Sequence, residues 1–130
     1  MKSLVVEHEF TARAVLSRIL SRYGPCDIAV DGTEAIEAAR RAYEKAEPYD
    51  LVTLDLSLPE FEGANALEQI HRAEKEAGIS FLQGTRVLAI TAVEDARTVA
   101  ALYKAGCEAY LLEPVNEIAI VEKLSEMSLP

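Results

Sequence analysis

The sequence predicts an α/β fold, a doubly wound parallel sheet of five strands with helices on both faces, on three observations. Short apolar runs alternate five times with stretches whose apolar residues recur at helical spacing. The runs are rich in Val, Leu and Ile and mostly unbroken by polar residues, as expected of strands covered on both sides. Half of the 130 residues are apolar and 27% are charged, which is enough to bury a core without disulfide staples. Right-handed crossovers then return every strand to the same end of the sheet.

The first run, residues 4–6, leads to Ala12, Val15, Leu16, Ile19 and Leu20, one stripe of a helix that begins near Glu9 or Thr11. The second run, 26–30, is followed by an Asp31-Gly32 turn and by Ala35, Ala38, Ala39, Ala42 and Tyr43 at the same spacing. Glu34 and Glu37 stand early in that helix and Arg40, Arg41 and Lys45 late, as a helix dipole prefers. After the third run, 51–54, Ala66, Leu67, Ile70, Ala73 and Ala77 form a stripe that Gly78 stops, with His71 read as a solvated residue of this helix. The fourth run, 87–90, precedes a shorter helix over 96–104 that ends before Gly106. The fifth, 110–112, precedes a helix over 117–124 after Pro114. No repeat or low-complexity tract intervenes, so 1–127 reads as one domain and 128–130 as a tail or a cut linker. The connection over 78–86 is longer than the usual helix-to-strand link and carries no assigned role.

Thirteen basic residues against twenty-two acidic ones give a formal charge of −9, the wrong sign for gripping nucleic acid phosphates over a broad face. Direct nucleic acid binding is not expected. The start has no signal-peptide core, and no apolar run is long enough to cross a bilayer, so a cytoplasmic chain without membrane association is expected. Cys26 and Cys107 show neither CxxC spacing nor an adjoining histidine pair, and read as buried or half-buried thiols.

In an open parallel sheet the functional crevice lies at the carboxyl ends of the strands. There the chain places Glu7-His8-Glu9, Asp55-Leu56-Ser57, Thr91-Ala92 and Glu113-Pro114. Carboxylates converge from several strands with no glycine-rich phosphate loop, which tells against a nucleotide-binding fold. Glu9 reads as favouring the positive end of the first helix rather than as a metal ligand.

The order and spacing of five segments make the chain similar to the response-regulator receiver domains of two-component signalling. These are Leu4-Val5-Val6-Glu7, the stretch from Ala29 to Ala35, Asp50 to Pro59 followed by Glu62-Gly63, Ile90-Thr91-Ala92, and Ala105-Gly106 leading to Tyr110 and Glu113-Pro114. The resemblance covers nearly the whole chain and implies a flavodoxin-like strand order 2-1-3-4-5. With Cys26 and Cys107 then at opposite edges, a disulfide between them is excluded by distance.

What the resemblance implies for the site is specific. Asp55 becomes the candidate phosphoacceptor, whose carboxylate attacks a phosphohistidine. Glu7, Asp55 and the backbone carbonyl of Ser57 become ligands for Mg²⁺. Thr91 matches the hydroxyl residue that follows the phosphoryl group, and Tyr110 the aromatic switch on the fifth strand. Two positions depart from the family. His8 stands where a second acid is expected, and Glu113 where a lysine pairs with the phosphoryl oxygens.

The family's three acids and one lysine carry a net charge of −2, whereas Glu7, Asp55 and Glu113 carry −3 with His8 neutral. Mg²⁺ prefers hard oxygen ligands, so an imidazole replaces a carboxylate poorly. A protonated His8 lying against Asp55 or Glu113 would fill the place of the missing cation. The expectation is therefore a degenerate receiver, acting through protein contacts, with weak or absent Mg²⁺ binding and impaired phosphorylation. The alternative is an active phosphoacceptor, phosphorylated on Asp55 by a histidine kinase. A metal-dependent hydrolase using the acidic cleft is a weaker third. Partners implied by the resemblance are proteins, a histidine kinase, an output domain or a second copy, meeting the face made by the fourth helix, fifth strand and fifth helix.

Overall fold

Five apolar runs become five parallel strands: β1 (Ser3–Val6), β2 (Cys26–Ala29), β3 (Leu51–Asp55), β4 (Arg86–Thr91) and β5 (Ala109–Leu112). The computed structural model describes residues 1–56, 60–76, 78, 84–92 and 96–129, the side chains of 60–65, 98 and 102 excepted. Each strand is followed by a helix: α1 (Phe10–Leu20), α2 (Gly32–Glu44), α3 (Glu60–Glu76), α4 (Ala96–Lys104) and α5 (Glu117–Glu126). The sheet order is β2-β1-β3-β4-β5, the order that the resemblance implies. Ser57, most of the 78–86 connection and residues 93–95 lie outside the described residues.

Side chains alternate faces along a strand, and in the central strands this sorts the core into two layers. Leu4, Val6, Val52, Leu54, Val87 and Ala89 meet Ala35, Ala39 and Ala42 of α2 and Ala66, Leu67 and Ile70 of α3. Val5, Leu51, Leu88 and Ile90 meet Leu16, Ile19 and Leu20 of α1 and Ile120 and Leu124 of α5. Unbroken apolar runs are thus what a strand needs when both of its faces are covered. β2 is the exception: at the sheet edge, Asp27 and Ile28 are exposed.

Helix starts follow local capping chemistry. Glu9 caps α1, its carboxylate accepting from Thr11 N at 3.0 Å and Ala12 N at 2.6 Å, so it serves the helix end as expected. Asp31 caps α2 and Asn116 caps α5 in the same way, each accepting from the amide three residues on. Gly106 ends the turn after α4 with φ +103, and a Cβ there would collide with the His71 ring. That contact corrects the reading of His71 as solvated. Its side chain is 24% exposed, with Nδ1 3.5 Å from the buried Glu74 Oε2, because α3 packs closely against the loop that carries Gly106.

Candidate functional site

The strand order reverses between β1 and β3, and the register there decides what meets. Val6 pairs with Leu54, so the residues that follow, Glu7 and Asp55, become neighbours at the carboxyl end of the sheet. Both are buried, Asp55 fully and Glu7 to 1% exposure. His8 lies just beyond, with 48% of its side chain exposed. Its Nδ1 is 2.5 Å from Asp55 Oδ2 and 3.6 Å from Glu7 Oε1. The two groups share one hydrogen bond, in which Nδ1 donates when Asp55 is ionised.

Burial, more than any other cause, pushes Glu7 up to about 8, with the adjoining Asp55 carboxylate next. The Glu9 amide, which donates to Glu7 Oε1 at 3.2 Å, opposes that rise, while the charge of Glu113 adds to it. Arg13, in the first turn of α1, donates from Nη1 to the carbonyls of Glu7 at 3.2 Å and His8 at 3.4 Å. It fixes the loop that carries both residues. Sequence reading passed over Arg13, since only the fold brings its guanidinium back over the β1–α1 loop.

The remaining sequence candidates fall around this centre. Thr91 is buried at the end of β4, and its carbonyl accepts from Glu113 N at 2.9 Å. Glu113 is exposed on the rim, next to Pro114 across a cis peptide. Tyr110 is half-buried on β5, its ring edge-on to Tyr103 with centroids 6.3 Å apart. Ser57 is not among the described residues. A cleft of about 590 Å³ opens beside the carboxylates, lined by Glu7, His8, Ala12, Val15, Glu113 and Val115 among others.

One ligand atom each from Glu7, His8 and Asp55 lies within 4.8 Å of the others, a spacing that can hold a cation. Glu7 Oε2 is buried and has no hydrogen-bond partner among the described residues, which leaves an oxygen for an ion to take. The donor set nevertheless does not fit Mg²⁺. One of its three positions is an imidazole nitrogen, where Mg²⁺ demands oxygen.

The family model for the response regulator receiver domain matches residues 4–125. The sensory/regulatory protein RpfC of Xanthomonas campestris is 28% identical over 129 residues, 99% of this chain, and the chain spans 17% of the length of that relative. The receiver domain of the histidine kinase CKI1 from Arabidopsis thaliana, complexed with Mg²⁺ and BeF₃⁻, superposes with a TM-score of 0.78 at 23% identity. That superposition covers 97% of this chain and 89% of the other. A chain from the co-crystal of the Saccharomyces cerevisiae histidine phosphotransfer protein Ypd1 with the receiver domain of its downstream response regulator Ssk1 gives a TM-score of 0.80. It is 30% identical, covering 97% of this chain and 87% of that one.

Proposed function

This chain belongs to the response regulator receiver domain family, and on that premise we propose that it is a degenerate receiver. In this reading it is a two-component signalling module that keeps Asp55, transmits through protein contacts and undergoes Mg²⁺-dependent phosphorylation poorly. The observation that carries the reading is the 2.5 Å contact between His8 Nδ1 and Asp55 Oδ2. An aspartate that accepts a phosphoryl group must present an oxygen as nucleophile, and cations must meet the incoming charge. Here an imidazole covers one oxygen of Asp55.

Glu113 acts in the same direction. A lysine at its position would attract a phosphoryl group on Asp55, whereas a carboxylate repels it. Two unit charges about 4 Å apart interact by roughly 4 kcal/mol at an effective dielectric near 20. Its exposure lets Glu113 turn to solvent and keep only part of that repulsion, yet each ~1.4 kcal/mol in a barrier is tenfold in rate. Partners on this reading are proteins, a histidine kinase, a phosphotransfer protein, an output domain or a second copy. They would meet α4, β5 and α5, where Tyr103, Leu112, Ile118 and Val121 are exposed.

The second reading, an active phosphoacceptor, is favoured by the full burial of Asp55 at the end of β3 with Glu7 beside it and Thr91 one strand away. Incubation with acetyl phosphate and Mg²⁺ separates the two. Under the degenerate reading fewer than about one chain in ten is labelled, and the double change His8→Asp with Glu113→Lys raises the labelling rate about a hundredfold. Stable, stoichiometric labelling of the unmodified chain that Asp55→Asn abolishes would overturn this reading in favour of the second.

A further inference from the structure

The groups at the junction of β1 and β3 suit a different ion from Mg²⁺. We propose that Glu7, His8 and Asp55 form a site for a borderline divalent transition ion of the Zn²⁺ or Co²⁺ class, with His8 Nδ1 as a ligand after the protons held by the site are released to water. The proposal shares with the degenerate reading the premise that this pocket serves Mg²⁺ badly, and it goes further by naming the ion that the pocket serves well.

Two independent observations support it. One ligand atom from each of the three residues lies within 4.8 Å of the others. Separately, Glu7 is a carboxylate only 1% exposed whose Oε2 meets no hydrogen-bond partner among the described residues. A buried carboxylate oxygen costs free energy unless a donor or a cation answers it. Two carboxylates and one imidazole match the donor preferences of Zn²⁺ and Co²⁺, while an all-oxygen shell is what Mg²⁺ demands. Access is present too. The His8 side chain is half exposed and lines the cleft of about 590 Å³, which leaves a route for the ion and room for water to complete its shell.

Affinity for Zn²⁺ exceeds that for Mg²⁺ at most mixed sites, so the decisive quantity is how the preference depends on His8. The full chain, His8→Ala and His8→Asp are titrated with ZnCl₂ and with MgCl₂ by calorimetry, and with CoCl₂ by visible absorption. Circular dichroism checks that the variants of this half-exposed residue keep the fold. The expected result is a single Zn²⁺ per chain whose affinity falls at least about tenfold in His8→Ala. The Zn²⁺-to-Mg²⁺ preference should fall by at least about tenfold in His8→Asp, and the Co²⁺ absorption should vanish in His8→Ala. Equal Zn²⁺ affinity in His8→Ala, as when the ion sits at His71 or Cys26, overturns the proposal, and so does an absence of binding at millimolar Zn²⁺. Poor labelling by acetyl phosphate without a His8-dependent Zn²⁺ site would sink this inference and leave the degenerate reading standing. Efficient Mg²⁺-dependent labelling would sink that reading and leave His8-dependent Zn²⁺ binding to be judged by the titrations.

Discussion

Glu7 and Glu74 are both buried glutamates, 1% and 4% exposed, and they sit at opposite ends of the same sheet with opposite consequences. At the amino end, Glu74 Oε1 accepts from Thr85 N at 2.9 Å and Oε2 faces His71 Nδ1 at 3.5 Å. Thr85 Oγ1 in turn donates to the Tyr49 carbonyl at 2.7 Å and lies 3.1 Å from the Tyr43 hydroxyl. At the carboxyl end, Glu7 faces Asp55 and has one weak backbone donor and one oxygen without a partner among the described residues. Burial alone therefore decides nothing. A carboxylate answered by donors ties elements together, and one crowded by another carboxylate is a cost kept for the sake of a site.

The largest effect expected from this contrast is at Glu7. Its pKa is raised from 4.5 to about 8, so the folded protein holds a proton that the unfolded chain releases between those values. Stability then falls as pH rises from about 4.5 to about 8 and levels off above. Glu7→Gln removes that slope and makes the protein more stable at pH 8, by an amount on the order of a few kcal/mol. Urea unfolding of both proteins at several pH values measures it. A wild-type stability that climbs over this range would show that Glu7 is well served where it stands.

Glu74→Ala should act the other way. It leaves the Thr85 amide buried without its acceptor and releases His71, a loss of about 2 kcal/mol in the same unfolding measurement. Glu74→Gln keeps an oxygen for the amide and should lose less than half as much. Equal losses would mean that charge rather than the hydrogen bond holds this end together.

The two ends also differ in how far they could be read from the sequence. Glu7, His8, Asp55, Thr91 and Glu113 each follow or close an apolar run, so topology alone placed them at one end of the sheet. The five helices were legible because their apolar stripes are long and periodic, and Glu9 and Asp31 carry cap chemistry in their types and positions. The His8–Asp55 contact was foreseen only as one of two partnerships, since no pattern distinguishes Asp55 from Glu113 before the β1–α1 loop is seen. The amino-end network was invisible. Thr85, Tyr49, Tyr43 and Glu74 come from separate segments, and a glutamate in a polar stretch of helix looks solvated until packing buries it. His71 was misjudged for the same reason, being half-buried only because Gly106 brings the next loop against its ring.

The smallest effect tests whether the amino end acts as a unit. Burial, and then the neighbouring Asp27, keep the Tyr49 phenol protonated, so its hydroxyl donates to Asp27 Oδ2 at 2.6 Å. Tyr49→Phe removes that bond while Asp27, exposed on the edge strand, remains hydrated, which limits the loss to about 1 kcal/mol. The Tyr49 ring also lies under Lys2 Nζ at 4.7 Å and its carbonyl accepts from Thr85, neither of which the substitution removes. Among the described residues, Thr85 links Tyr49 to Glu74. If it couples them mechanically, combining Tyr49→Phe with Glu74→Ala gives a loss that departs from additivity by more than about 0.5 kcal/mol. Strict additivity would mean that the amino end is held by separate bonds, each answering its own buried group, and that its contrast with the carboxyl end lies in local satisfaction rather than in a shared network.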